Sequence, residues 1–268
     1  MSVITLLTDF GTEDEYVGVM KGIILSINPN AAIVDITHNI DPQDLTQAAY
    51  MIKSSYRYFP KGSIHVAVVD PGVGSNRAIL AVKIKDYIFL APDNGILTLL
   101  NDTEKVDSIV RVENSEYFLQ SISQTFHGRD IFAPVAGHIS KGLEICKLGS
   151  HAELKDLTCL QISEPYISDN SELVGKIISV DRFGNLITNI TSKYLEKFCK
   201  SYIKESFEIR INENKITGLA ESYASARPQA PLAIIGSRGY LEIAVNCGNA
   251  KSVLRAEKGN SVKVRSEK

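Results

Sequence analysis

The sequence predicts two folds in tandem, an N-terminal α/β domain on a central, mostly parallel sheet and a smaller C-terminal all-β, barrel-like domain. Three observations predict it. Apolar runs of strand length alternate with helically periodic segments through the first half of the chain. Short strand-like runs, several divided by Gly and Asn, dominate the second half. Between the halves lies a polar, turn-rich stretch, ISDNSE at 167–172, which reads as a linker. Strands separated by helices imply parallel βαβ units, and many short strands with turn residues imply an antiparallel barrel or sandwich. The expected domains are 1–166 and 172–268.

The elements follow in order. Residues 3–8 (VITLLT) form an apolar run of strand length, and 15–28 place Val17, Met20, Ile23, Ile24 and Ile27 at helical spacing. Residues 32–36 read as a second strand and 44–58 as a second helix, preceded by the Asp41-Pro42 turn. Residues 63–69, 79–84 and 87–90 are β-rich, and 130–142 look helical. In the second half the strand-like runs are 173–180, 185–190, 205–211, 231–236, 240–245 and 261–265, with a helix at 191–201.

Composition narrows the function classes. The chain has 268 residues, 44% of them hydrophobic, enough for one large domain or two modest ones. A net charge of −2 offers no basic surface for nucleic acid or an acidic membrane. The N-terminus, MSVITLLTDFGTEDE, lacks the basic and apolar regions of a signal peptide, and no run approaches the ~18 apolar residues of a membrane span. A soluble, cytoplasmic protein is expected. Cys146, Cys159, Cys199 and Cys247 form no C-x-x-C pair, so they read as small buried hydrophobes and not as zinc ligands or a redox pair.

Ligands of open α/β sheets bind beyond the carboxyl ends of the strands. Four polar clusters fall at such ends or just before a helix: Thr8-Asp9-Phe10-Gly11, Asp70-Pro71-Gly72-Val73-Gly74 followed by Arg77, Ala91-Pro92-Asp93-Asn94-Gly95, and Thr125-Phe126-His127-Gly128-Arg129-Asp130. Each has a plainer reading. Asp9 suits a helix N-cap, Asp70 and Asp93 open turn-forming sequences, and a single histidine is more often structural than catalytic. Asp9-Phe10-Gly11 also spells the kinase metal motif, but the other kinase signatures are missing, as is the ending of a phosphate-binding Walker loop. Asp9, Asp70, Asn94, His127 and Asp130 together would suit a metal-dependent phosphoesterase. His38, His65, His138 and His151 read as structural or surface residues.

In the second half, Asp181-Arg182-Phe183-Gly184-Asn185 and Ser237-Arg238-Gly239-Tyr240 each sit between two strand-like runs. A hairpin turn requires Gly and Asn, but not Asp, Phe and Arg. Those extra residues point to a ligand with an aromatic ring, hydrogen-bonding edges and charged ends.

With these clusters in hand, the chain resembles the S-adenosyl-L-methionine (SAM) hydroxide adenosyltransferase family, which is related to the fluorinase and chlorinase enzymes. The resemblance rests on TDFGTEDEYVG, VVDPGVGSNR, APDNG, FHGRDIFAP, DRFGNLITNI and GSRGYLEIAVN, six clusters in the family's order. It implies hydrolysis of SAM to adenosine and L-methionine with no cofactor and no metal. It also implies a homotrimer with substrate held between the N-terminal domain of one subunit and the C-terminal domain of the next.

The resemblance assigns Asp9 to the ribose hydroxyls, Asn185 to the adenine edge, and Phe126, Phe183 and Tyr223 to packing against the ligand. It assigns Asp181 to the methionine ammonium, and Ser237 and Arg238 to its carboxylate. Asp70, Arg77 and His127 match the polar triad of the hydroxide-using members, oriented to hold a water and take its proton. The halogenating relatives carry tyrosine where this chain has Asp70, and the fluorinase carries serine and arginine where it has Gly128 and Val245. Asp70 therefore argues for water over halide. A SAM-dependent halide adenosyltransferase and a non-catalytic adenosyl-ligand sensor are the further alternatives.

Overall fold

The first unit is organised by six strands whose apolar residues serve two helical layers. The computed structural model describes residues 2–101, 104–202 and 206–266, and the chain divides into units Met1–Gln161 and Ile162–Lys268. Unit 1 runs β1 (Val3–Thr8), α1 (Tyr16–Ile27), β2 (Ala32–Thr37), α2 (Leu45–Ser55), β3 (Ile64–Val68), β4 (Ile79–Ile84), β5 (Tyr87–Pro92), α3 (Thr98–Asn101), β6 (Ser108–Arg111) and α4 (Ala133–Ser140). The sheet order is β2-β1-β3-β5-β4-β6. Neighbours are parallel from β2 through β5, whereas β4 is antiparallel to both β5 and β6. The sheet is thus mostly parallel, as expected.

Alternation along β1 and β3 separates the two faces. Ile4, Leu6, Ile64, Val66 and Val68 pack with Met20 and Ile24 of α1 and Val135 and Ile139 of α4. Leu7, Ala67 and Val69 pack with Ala48 and Ile52 of α2. Strands covered on both faces read as unbroken apolar runs, which is why β1 and β3 were legible. His65 lies in the second face, its Nδ1 2.8 Å from Thr5 Oγ1, and burial pushes its pKa down to about 4. It is a neutral structural histidine, as read from the sequence.

Unit 2 runs β7 (Tyr166–Ile167), β8 (Leu173–Val180), β9 (Leu186–Thr191), α5 (Ser192–Tyr202), β10 (Phe207–Ile211), β11 (Asn214–Thr217), β12 (Pro231–Ile235), β13 (Tyr240–Val245), α6 (Ala250–Val253) and β14 (Ser261–Ser266). Position 205, the expected start of β10, lies outside the described residues. All pairings are antiparallel, in the order β11-β10-β14-β8-β9-β13-β12, with β7 on β8. The Ala220 N–H donates to the Ala233 carbonyl at 2.8 Å, which draws the chain after β11 onto β12 and nearly closes the barrel. Its core contains Ile177, Leu186, Leu241, Ile243 and Val264, sealed by Leu195 and Phe198 of α5.

Several expectations need correction. The stretch 167–172 is a turn and not a linker. The Ser168 N–H donates to the Glu172 carbonyl at 2.9 Å, and Ser171 takes φ 55°, so that β7 folds back on β8. The residues that make a polar linker also make tight turns, and only pairing tells them apart. The second helix ends at Ser55 and tightens into a 3₁₀ turn, and the helix expected at 130–142 begins with a π-helical turn, Gly128–Phe132. All four cysteines are free, but Cys146, Cys159 and Cys247 are exposed on turns and loops where no core covers them. No helix among the described residues is long and apolar enough to cross a membrane.

Candidate active site

β1 and β3 end side by side, and the chain just beyond each meets the segment before α4. Together they line a cavity of about 390 Å³, bounded by Asp9, Phe10, Tyr16, Gln43, Val68, Asp70, Pro71, Val73, Thr125, Phe126, His127 and Gly128. Its size suits a small-molecule ligand.

The Asp-Pro-Gly-Val-Gly sequence turns tightly. The Val73 N–H donates to the Asp70 carbonyl at 3.2 Å and the Ser75 N–H to the Gly72 carbonyl at 3.1 Å, which returns Arg77 to Asp70. Gly74, at φ 78°, lies so close to the Gln124 carbonyl that a Cβ would overlap it. Only glycine lets the turn pass against the segment carrying His127.

Arg77 Nε donates to both Asp70 carboxylate oxygens at 2.8 Å, and Nη2 also bonds Oδ2. Nη2 lies 3.0 Å from His127 Nδ1. The Asp70 and Arg77 side chains are only 5% and 9% exposed, so each charge depends on the other for compensation. A guanidinium has donors only, so Nδ1 accepts and the neutral ring carries its proton on Nε2. Burial first, and then the Arg77 charge, hold the His127 pKa below the ordinary histidine value, against the opposing pull of Asp70, Asp130 and a hydrogen bond to the Ser123 backbone.

Asp9 does not cap α1, whose N-cap position, Glu15, makes no side-chain bond. Asp9 Oδ2 instead accepts from the Gln43 N–H at 2.9 Å. Behind it the buried His38 ties down the loop. Its Nδ1 lies 2.8 Å from Thr8 Oγ1, and its carbonyl accepts from the Gly11 N–H at 2.8 Å. Phe126 meets Tyr16 edge-on at 5.0 Å between ring centroids and Phe10 at 5.9 Å, forming an aromatic wall. Sequence reading missed Tyr16 and Gln43. Tyr16 lies inside the TDFGTEDEYVG motif, which could have signalled it, whereas Gln43 contributes through its backbone and leaves no side-chain signal.

The metal-ligand set proposed from sequence does not converge. Asn94 Nδ2 donates to the Val69 carbonyl at 2.8 Å, and Asp93 accepts from the Thr158 N–H at 2.9 Å. Asp130 accepts from the Ser123 N–H at 2.7 Å and from Arg129 Nε at 2.6 Å. Among the described residues, no three His, Cys, Asp or Glu side chains gather as a metal-ligand group.

Unit 2 carries its own cluster. Asp181 Oδ1 accepts from the N–H groups of Phe183 and Asn185 at 2.9 Å each, and Oδ2 accepts from Asn185 Nδ2 at 3.0 Å. Gly184, at φ 85°, lies against Asn249, where a Cβ would overlap the amide. Phe183, at the turn, is 75% exposed, an unusual state for a large apolar ring. Ser237 and Arg238 lie exposed in the β12–β13 turn, which the Gly236 N–H closes onto the Tyr240 carbonyl at 2.9 Å. The Tyr223 hydroxyl donates to Glu242 Oε1 at 2.5 Å. That bond, with burial and the Asp181 charge, pushes the Tyr223 pKa up to about 12 against the pull of Arg238. Glu242 was not a sequence candidate, because Leu-Glu-Ile reads as ordinary strand alternation.

An α/β unit with a buried Asp–Arg–His cluster at its strand ends, followed by an antiparallel barrel with exposed aromatic and charged turns, defines a two-domain class of small-molecule-binding protein. The chain belongs to the SAM hydroxide adenosyltransferase family, whose N-terminal domain matches residues 4–149 and whose C-terminal domain matches 175–263. It is 35% identical to a protein from Methanocaldococcus jannaschii named (R)-S-adenosyl-L-methionine hydrolase, over 96% of this chain and 93% of the relative. A protein of the same name from Thermus thermophilus is 32% identical over 98% of this chain and 100% of its own. A fluorinase from Nocardia brasiliensis is 27% identical over 98% of this chain and 96% of its own. A crystal structure of an uncharacterized conserved protein from Thermotoga maritima superposes with a TM-score of 0.90 at 36% identity, covering 98% of this chain and 99% of that one.

Proposed function

We propose that this protein hydrolyses SAM to adenosine and L-methionine by attack of water on ribose C5′. The observation that carries the reading is the buried Asp70–Arg77–His127 cluster, whose Asp70 and His127 line the same cavity as Asp9 and Phe126. The names of the full-length relatives support it and point to the (R) sulfonium epimer as the preferred substrate.

In the proposed reaction the water oxygen bonds to C5′ as the C5′–S bond breaks. The bonding electrons stay on sulfur, which leaves as the neutral thioether of methionine. The sulfonium charge already activates the leaving group, so no acid is needed. The enzyme's task is to desolvate and align one water opposite the C5′–S bond. His127 orients that water through its Nε2–H, and Asp70 takes the released proton within the coupled cluster. The Asp70 carboxylate at the cavity repels halide, which disfavours the fluorinase-type reaction.

Asp9 binds the ribose diol, since a carboxylate accepts two hydrogen bonds from vicinal hydroxyls. Phe126 packs on the nucleoside. Asn185 and Phe183 take the adenine, Asp181 the ammonium, Ser237 and Arg238 the carboxylate, and Tyr223 packs beside them. In this proposal the protein is a cytoplasmic homotrimer, with substrate between the N-terminal unit of one subunit and the C-terminal unit of its neighbour.

Incubation with SAM in ¹⁸O-labelled water, with and without chloride, tests the reading. Label in the 5′-hydroxyl of adenosine is expected. Label confined to methionine, a halogenated nucleoside, or binding without turnover would reject it, the last in favour of a sensor.

A further inference from the structure

β13 places Leu241, Ile243 and Val245 in the barrel core, so Glu242 points to the opposite, outer face. A carboxylate there should be solvated, yet Glu242 is only 7% exposed. Burying a charge is costly unless it is paired and hydrogen-bonded. Its two oxygens face two different segments. Oε1 accepts from the Tyr223 hydroxyl, at the start of a short 3₁₀ turn, Tyr223–Ser225. Oε2 fills the space above Gly236, where a Cβ would overlap it, directly under the turn that carries Ser237 and Arg238.

We infer that Glu242 is a positioning residue for substrate binding, one that locks the Tyr223 ring and the Ser237-Arg238 turn into a single rigid surface. The inference rests on the proposed roles of Tyr223, Ser237 and Arg238. Tyr223 is 45% exposed, and its hydroxyl is held by Glu242. The Glu242 bond pushes the Tyr223 pKa up to about 12, so the phenol keeps its proton through the physiological range. Glu242 acts through Tyr223 and the turn, and it takes no part in the bond-breaking step.

The test is steady-state kinetics with SAM on the full-length protein, with thermal unfolding measured alongside. Glu242→Leu and Tyr223→Phe are each expected to raise KM by roughly tenfold or more, the scale set by a hydrogen bond to a charged group, with kcat within about twofold of the parent. The double variant is expected to match the worse single one, since both remove the same bond. Glu242→Gln keeps an acceptor oxygen and is expected to restore most of the affinity. Tyr223→Phe keeps the exposed ring and removes one oxygen, so it reports on the bond even if Glu242→Leu unfolds. Additive effects, or a KM unchanged in Tyr223→Phe while Tyr223→Ala raises it, would overturn the inference and leave the role of Tyr223 standing. An unchanged KM in Tyr223→Ala would overturn both.

Discussion

Arg77 Nη2 lies 3.0 Å from Nδ1 of His127, and the same guanidinium grips the Asp70 carboxylate. Because the guanidinium only donates, it fixes the tautomer of the ring it touches. His127 is neutral, with its lone pair spent on Arg77 and its proton on Nε2. In the proposed reaction the ring acts as a donor, and a donor can orient a water through its oxygen but cannot remove a proton. On that proposal the proton passes to Asp70, which lies beside the same cation.

Substitutions separate these roles. His127→Ala and Asp70→Ala are expected to lower kcat by roughly 10²–10⁴-fold. His127→Gln retains a side-chain donor and is expected to keep at least about ten times the turnover of His127→Ala, given that one well-placed donor is worth roughly 10²–10³ in kcat. Single-turnover measurements on the three variants decide it. Equal losses in Gln and Ala would instead mark His127 as the base.

The pH profile has a definite sign. Burial and then the Arg77 charge depress the His127 pKa, so the neutral ring persists below the usual histidine range. Protonating Nδ1 would set two donors and two positive charges against each other. Turnover is therefore expected to be flat through neutral pH and to fall only as pH drops below the ordinary histidine value of 6.5. The acidic limb should vanish in His127→Gln. A limb centred above 6.5, or one retained in that variant, would show that another group titrates.

Asp9 should read the ribose diol. Asp9→Ala is expected to raise KM for SAM by roughly 10–100-fold, the range of a charge-assisted hydrogen bond. The parent protein should discriminate against a 2′-deoxy analogue of SAM, and the variant should lose most of that discrimination. Competition assays with the two substrates measure the ratio. Discrimination that survives the substitution would move diol recognition to another residue.

Much of the fold was legible because burial writes itself into local pattern. Residues 3–8 and 79–84 carry apolar runs that a strand covered on both faces requires, and Met20 and Ile24 recur at helical spacing because one side of α1 meets the sheet. What stayed hidden was short or ambiguous. β6 and β11 have four residues each, too few to display a period. The 167–172 stretch has the composition of linker and turn alike, and its pairing with β8 is a long-range fact.

The sequence by itself determined the class of fold, the family, and the residue types at the strand ends, since Asp9, Asp70, Arg77 and His127 stand in motifs whose order is local information. Only the tertiary structure decided which of them meet. It joined His127 to Arg77, fifty positions earlier in the chain, through a turn that needs Gly74 to pass its neighbour. It tied Asp9 to the Gln43 backbone instead of the α1 N-terminus, withdrew Asn94 and Asp130 into bonds of their own, and set Tyr223 on Glu242. Hydrogen-bond partners depend on directions in space between groups far apart in the chain, and residue order does not encode those directions locally.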